Sequence, residues 1–184
     1  MAAAVPLEDV SRSWLLEVAA LPESRMVRGE GLHLTLRYLG PTELADPAAL
    51  TSELHSLVAD ERPFSVRLEG LGAFPSLRRP RAIWVGVSRG RAELVRLGRL
   101  LAPGEPEITP HCTLARVGRP ISPASRDRLR ELAEGGLPPL DLWCASLAVM
   151  ESLADPPGPA RYRSLGELPL AGSASEGPSP EGVE

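Results

Sequence analysis

Lysine is absent from this 184-residue chain, so all 20 of its cationic side chains are arginine. We read this as a coding bias and give it no functional weight. Cysteine is nearly absent as well. Cys112 and Cys144 are the only two, too few for a disulfide framework, and neither belongs to the Cys-x-x-Cys pairs that hold structural zinc. No apolar run approaches the length needed to span a bilayer. Met1–Pro6 has no basic stretch leading into an apolar core, so no signal peptide is expected and the cytoplasm is the expected location. Net charge is also scarce. It is −4 overall, and Glu176, Glu181 and Glu184 supply three of those charges within a tail that has no arginine. A near-neutral body argues against sequence-blind binding to long duplexes, which needs many phosphate contacts. It leaves room for a small arginine-lined anion pocket.

What is present alternates between helical and strand periods, twice over. Ala2–Leu7 reads as a short strand, and Glu8–Leu21 as a helix with Val10, Trp14, Leu15 and Val18 on one side. Gly31–Gly40 alternates strictly between its glycines, a strand signal. Asp46-Pro47 opens a helix that runs to about Asp60, and Phe64, Val66 and Leu68 alternate as a strand. Phe74–Pro80 is punctuated by two prolines and reads as a loop. Ala82–Val87 is expected as a strand and Ala92–Leu101 as a helix. A second cycle places a strand over Thr109–Val117 and a helix from Ser122-Pro123 to about Glu134. Leu140–Leu153 reads as one long mixed strand, and Arg161–Leu168 as the last one. The pattern predicts an α+β protein of two similar lobes over residues 1–170, followed by a disordered tail over 171–184.

Two of the three histidines sit in copies of one tetrad, His33-Leu34-Thr35-Leu36 and His111-Cys112-Thr113-Leu114. On a strand, residues i and i+2 share a face, so each His stands beside its Thr while the alternate residues point into packing. One such tetrad carries little weight, since Thr favours strands on its own account. Two copies, each in a strand-like setting, carry more. If the strands lie side by side, two imidazoles and two hydroxyls meet across one cleft. That set suits displacement at phosphorus: one imidazole takes a proton, the other gives one, and the hydroxyls hold the non-bridging oxygens.

The stretches LHLTLRYLG and TPHCTLAR resemble the paired signatures of the two-histidine (2H) phosphoesterases. Within that superfamily the chain is most similar to the RNA 2',3'-cyclic phosphodiesterases, also called 2'-5' RNA ligases. The similarity extends through FPSLRRPRAIWVGV and LAVMESLADPPGPARYRSLGELPL, and so over nearly everything outside the tail. Met26 departs from a common tryptophan, and Cys112 from a bulkier apolar residue. The resemblance implies two pseudo-symmetric lobes, each an antiparallel sheet with helices outside, enclosing a central cleft. It implies His33 as proton donor to the leaving 3'-oxygen and His111 as the base that activates water, with Thr35 and Thr113 assisting. It implies no metal and no cofactor. The expected partners are RNA 3' ends or nucleotides bearing a 2',3'-cyclic phosphate, met by a monomer away from any membrane.

Outside the tetrads the signals are weaker. His55 falls in a helix without a Thr partner and reads as structural; Cys112 faces away from the tetrad and reads as a buried thiol. Arg116 lies on the wrong face of a regular strand, and only a bend or bulge after Leu114 turns it toward the cleft, where it would bind phosphate. Arg78, Arg79 and Arg81 form a short basic patch. Tyr162 and Phe74 are candidates for stacking on a base. Three other readings stand beside hydrolysis: 2'-5' RNA joining in the same site, a non-catalytic RNA-end binding module, and a histidine metal site. For the last, no third ligand falls at metal-like spacing.

Overall fold

The computed structural model describes residues 1–7, 14, 17, 18, 20–27, 31–40, 46–135, 137–153 and 161–172. Its strands are β1 (Ala2–Pro6), β2 (Ser24–Met26), β3 (His33–Tyr38), β4 (Phe64–Phe74), β5 (Ala82–Arg89), β6 (His111–Val117), β7 (Leu140–Cys144), β8 (Ser146–Leu153) and β9 (Arg161–Pro169). Its helices are α1 (Pro47–Val58), α2 (Arg91–Leu101) and α3 (Pro123–Gly135). Of the segment expected as an N-terminal helix, Trp14, Glu17 and Val18 are helical, and much of the remainder lies outside the described residues. The expected tail lies outside them from residue 173 onward. Among the described residues, no helix is long and apolar enough to cross a membrane.

Local chemistry explains the elements. Asp46 caps α1, its carboxylate accepting from Ala48 N at 2.9 Å and Ala49 N at 3.1 Å, with Pro47 supplying the fixed φ of a first helical position. Gly70, at φ +76°, lets β4 bulge opposite β5 and continue to Phe74, well beyond the three alternating residues that announced it. The 140–153 run is not one strand. It breaks at Ala145 into β7 and β8, which lie in different lobes.

The sheet order is β7-β4-β5-β6-β3-β1-β8-β9, with β2 pairing on β6 beside β3. All the pairs are antiparallel, and the order reads alike from either end about the β6–β3 junction. At that junction the ladder shrinks to one pair, Leu34 opposite Cys112. Past it, β6 is paired by β2 instead, Ser24–Met26 lying against Val117–Ala115. The two lobes are thus one curled sheet pinched in the middle, and the cleft opens where β3 and β6 part. Leu34, Leu36, Cys112 and Leu114 are fully buried behind it. Each leucine contributes about 1.5–3 kcal/mol by burial, and a one-residue slip of either strand would expose its apolar residues and turn its histidine inward.

Candidate active site

The Leu34–Cys112 pair sets the register of everything in front of it. In an antiparallel pair, the neighbours of two opposed residues are themselves opposed. His33 therefore stands across from Thr113, and Thr35 across from His111. The two histidines are diagonal neighbours, about 7–8 Å apart at their roots in regular sheet geometry. All four half-buried side chains line one cleft of about 240 Å³. Among the described residues neither threonine hydroxyl is committed to a protein partner.

Both imidazoles are oriented alike. His33 Nδ1 lies 2.8 Å from the Gly31 carbonyl, and His111 Nδ1 lies 2.7 Å from the Thr109 carbonyl. A carbonyl only accepts, so each Nδ1 carries the proton and donates it. Each Nε2 is then the nitrogen turned away from the backbone, with no protein partner among the described residues.

Each ring is also braced by aromatic neighbours seated on a glycine. Tyr162 lies 4.9 Å from His33, and its ring rests on Gly31, where a Cβ would meet Tyr162 Cδ2 at 2.8 Å. Phe74 lies edge-on to His111 at 4.9 Å and Trp84 at 5.9 Å. The Trp84 indole covers Gly72, where a Cβ would meet ring atoms at 2.3 Å.

A sequence-family model described as 2'-5' RNA ligase superfamily matches residues 7–156. The chain belongs to that superfamily. An RNA 2',3'-cyclic phosphodiesterase of Aeropyrum pernix is 36% identical over 160 residues, spanning 81% of this chain and 88% of the relative. A solved structure from Thermus thermophilus superposes with TM-score 0.67 at 28% identity, covering 93% of this chain and 97% of that one. Escherichia coli LigT in complex with 3'-AMP shares the fold at TM-score 0.62 and 21% identity, covering 92% and 96%.

Arg116 reaches the cleft because of a bulge. Ile83 pairs with Ala115 and Trp84 with Thr113, leaving Leu114 as the extra residue of β6. Leu114 and Ala115 both turn to the core, the alternation slips by one, and Arg116 lines the cleft with His111 and Thr113. The first tetrad does the same. Ala3 pairs with Arg37 and Ala4 with Thr35, leaving Leu36 extra. Arg37 turns back to donate to the Leu101 carbonyl, and Tyr38 lines the cleft, 75% exposed. Tyr38 is a cleft-lining residue that sequence reasoning missed, as are Val27, Met150 and Ser152. The signal was available, since Tyr38 and Arg116 hold the same place in the two repeats.

Burial pushes the His33 pKa below the ordinary histidine value, and the positive charges of Arg116 and His111 push the same way. The bond to the Gly31 carbonyl opposes them by stabilising the protonated ring. The thiol of Cys112 is held by burial at a pKa of about 12 and that of Cys144 likewise, so neither offers a thiolate. His55 lies on α1 with Nε2 3.1 Å from the Pro169 carbonyl, away from the cleft. Among the described residues, no cluster of three or more His, Cys, Asp or Glu side chains gathers at metal-binding distance. Tyr162 lines the cleft as well as bracing His33, whereas Phe74, 39% exposed, stands at its edge behind His111. Arg78, Arg79 and Arg81 lie outside the cleft, in a separate groove.

Proposed function

We propose that residues 1–170 form the catalytic unit of an RNA 2',3'-cyclic 3'-phosphodiesterase that opens the cyclic phosphate to a 2'-phosphate. The observation that carries this is the pair of imidazoles facing one cleft, each with Nδ1 tied back and Nε2 free, each opposite the other repeat's threonine. The relatives' names support the reaction class. His111 Nε2 takes a proton from water as its oxygen bonds to phosphorus. The bond from phosphorus to the 3'-oxygen breaks on the opposite side, and His33 Nε2 gives that oxygen a proton. Thr35, Thr113 and Arg116 hold the non-bridging oxygens as charge builds on them. Tyr162 and Tyr38 offer ring faces for a base. A 5'-hydroxyl in place of water turns the same steps into 2'-5' joining.

His33 arrives with a lowered pKa, yet the donor must be protonated. The phosphodiester anion resolves this: bound beside the ring, it favours the charged form against burial and Arg116.

The test is hydrolysis of a 2',3'-cyclic nucleotide by His33→Ala and His111→Ala, each expected to lose about 10²–10⁴-fold in rate. The two losses overlap because both groups serve one transition state. A nucleoside 2',3'-cyclic phosphorothiolate with sulfur at the 3' bridging position, whose 3'-thiolate leaves without a proton, should partly rescue His33→Ala and leave His111→Ala inactive. Rescue of His111→Ala instead reverses the assigned roles. Full activity in either single variant on the natural substrate overturns the reading.

A further inference from the structure

Among the described residues, five arginines gather beyond the start of β5 and the end of β6 with no carboxylate in the same lining. Arg78, Arg79 and Arg81 come from the β4–β5 connection, Arg119 from the turn after β6, and Arg126 from α3; together they line a groove of about 720 Å³. Among the described residues, none of the five makes an ion pair, although seven other arginines do. The Nε of Arg126 is buried without a hydrogen-bond partner. Glu23, beside the start of α3, is already occupied: its oxygens accept from Ser122 N at 3.0 Å and Ser125 Oγ at 2.7 Å. Arg119 also donates to the Pro22 carbonyl at 3.3 Å, and Glu23 keeps its charge, so in a body close to neutral overall this is a concentrated positive field answered only in part.

The groove begins one residue along the chain from the strand pair that carries Arg116. Arg81 precedes Ala82, the Cα partner of Arg116, and its carbonyl accepts from Val117 N at 3.0 Å. On the other side of Arg116 stands Arg25 of β2, directly opposite it. Like charges facing each other across a pair are unfavourable unless an anion lies between them. Phe74, edge-on to His111, ends the strand from which the arginine loop departs. A positive track with an aromatic ring at its head is the arrangement that receives a single strand of nucleic acid.

We infer that the groove holds the phosphodiesters upstream of the reacting 3' end, so that the preferred substrate is an RNA strand rather than a mononucleotide. The inference rests on the proposed activity for the identity of the group in the cleft. The guanidinium forks bind successive backbone phosphates, and binding reads no sequence. Each neutralised phosphate of a single strand contributes about −0.7 to the slope of log affinity against log salt, so five contacts give a slope of about −3.5.

The experiment compares a 2',3'-cyclic mononucleotide with a short RNA strand ending in a 2',3'-cyclic phosphate, in the wild type and in Arg78→Gln/Arg79→Gln/Arg119→Gln. None of these three side chains lines the catalytic cleft. In the wild type the strand should show a lower KM than the mononucleotide, and added salt should close the gap. The triple variant should lose that advantage, with a salt slope shallower by about 2, while hydrolysis of the mononucleotide stays within about twofold. An unchanged KM for the strand, or an equal loss on both substrates, overturns the inference. Anisotropy of a labelled strand ending in a 3'-hydroxyl separates the two claims. Arginine-dependent binding without turnover of either substrate sinks the proposed activity and leaves the groove standing. Turnover of both substrates with arginine-independent binding does the reverse.

Discussion

Replacing Gly72 with alanine tests whether the aromatic brace sets the position of His111. A Cβ at Gly72 would lie 2.3, 2.4 and 2.8 Å from Cζ2, Cη2 and Cε2 of Trp84, against ordinary contact at 3.4 Å or more. The indole must therefore retreat by roughly 1 Å, a displacement of the size that costs about 10²-fold when it reaches a reacting group. It has a short way to travel. Trp84 lies 5.1 Å from Phe74 and 5.9 Å from His111, and Phe74 lies 4.9 Å from His111. The backbone itself accepts alanine, since Gly72 has an ordinary negative φ and glycine is a weak strand former. The assay is kcat and KM on a 2',3'-cyclic nucleotide together with the melting temperature. The expected result is a fall of about 10–10²-fold in kcat, with KM little changed and a native melting transition. Adding Trp84→Phe removes the two nearest ring atoms, Cζ2 and Cη2, so the double variant should recover part of the loss. A Gly72→Ala protein with wild-type kcat would refute the reasoning, and so would a loss confined to KM.

The pH profile follows from His33. A donor must enter turnover protonated, so kcat/KM should fall as pH rises through the lowered His33 pKa, on the acid side of the ordinary value of 6.5. Arg116→Ala removes one of the charges that lower it and should move that limb to higher pH even as the rate drops; a limb that stays or moves down contradicts the assignment. Activity should survive excess chelator, because the site supplies acid, base and donors from its own side chains; loss with EDTA and recovery with zinc or manganese would revive the metal reading. Both thiols should stay unreactive toward a disulfide reagent at neutral pH until the protein unfolds, since burial holds each near a pKa of about 12.

That four side chains would share one cleft was legible because strand alternation is a property of side chains, and His33, Thr35, His111 and Thr113 keep its period of two. Arg116 and Tyr38 were not placed by that period, because each follows a bulge, and a bulge leaves no mark in side-chain type when the extra residue is an ordinary leucine. The break at Ala145 was invisible for a related reason. β7 and β8 are both apolar strands, and a single residue carries the chain from one lobe to the other. β2 was missed because three residues that pair on one side of β6 show too little alternation to register. The Asp46-Pro47 start was read correctly from capping chemistry alone.

The lobes are not the halves of the chain. The sheet order matches β5 with β1 and β4 with β8, so the second repeat begins at β5 rather than at Thr109. β4 of the first repeat pairs with β5 of the second, and β8 and β9 of the second lie beside β1 of the first. The two repeats are plaited. A cut in the β4–β5 connection leaves each fragment holding strands that the other needs, so neither piece carries a finished sheet. A lone repeat reaches this arrangement only by trading a strand with a second copy of itself. The fold has the anatomy of an exchanged dimer whose two partners are written into one polypeptide.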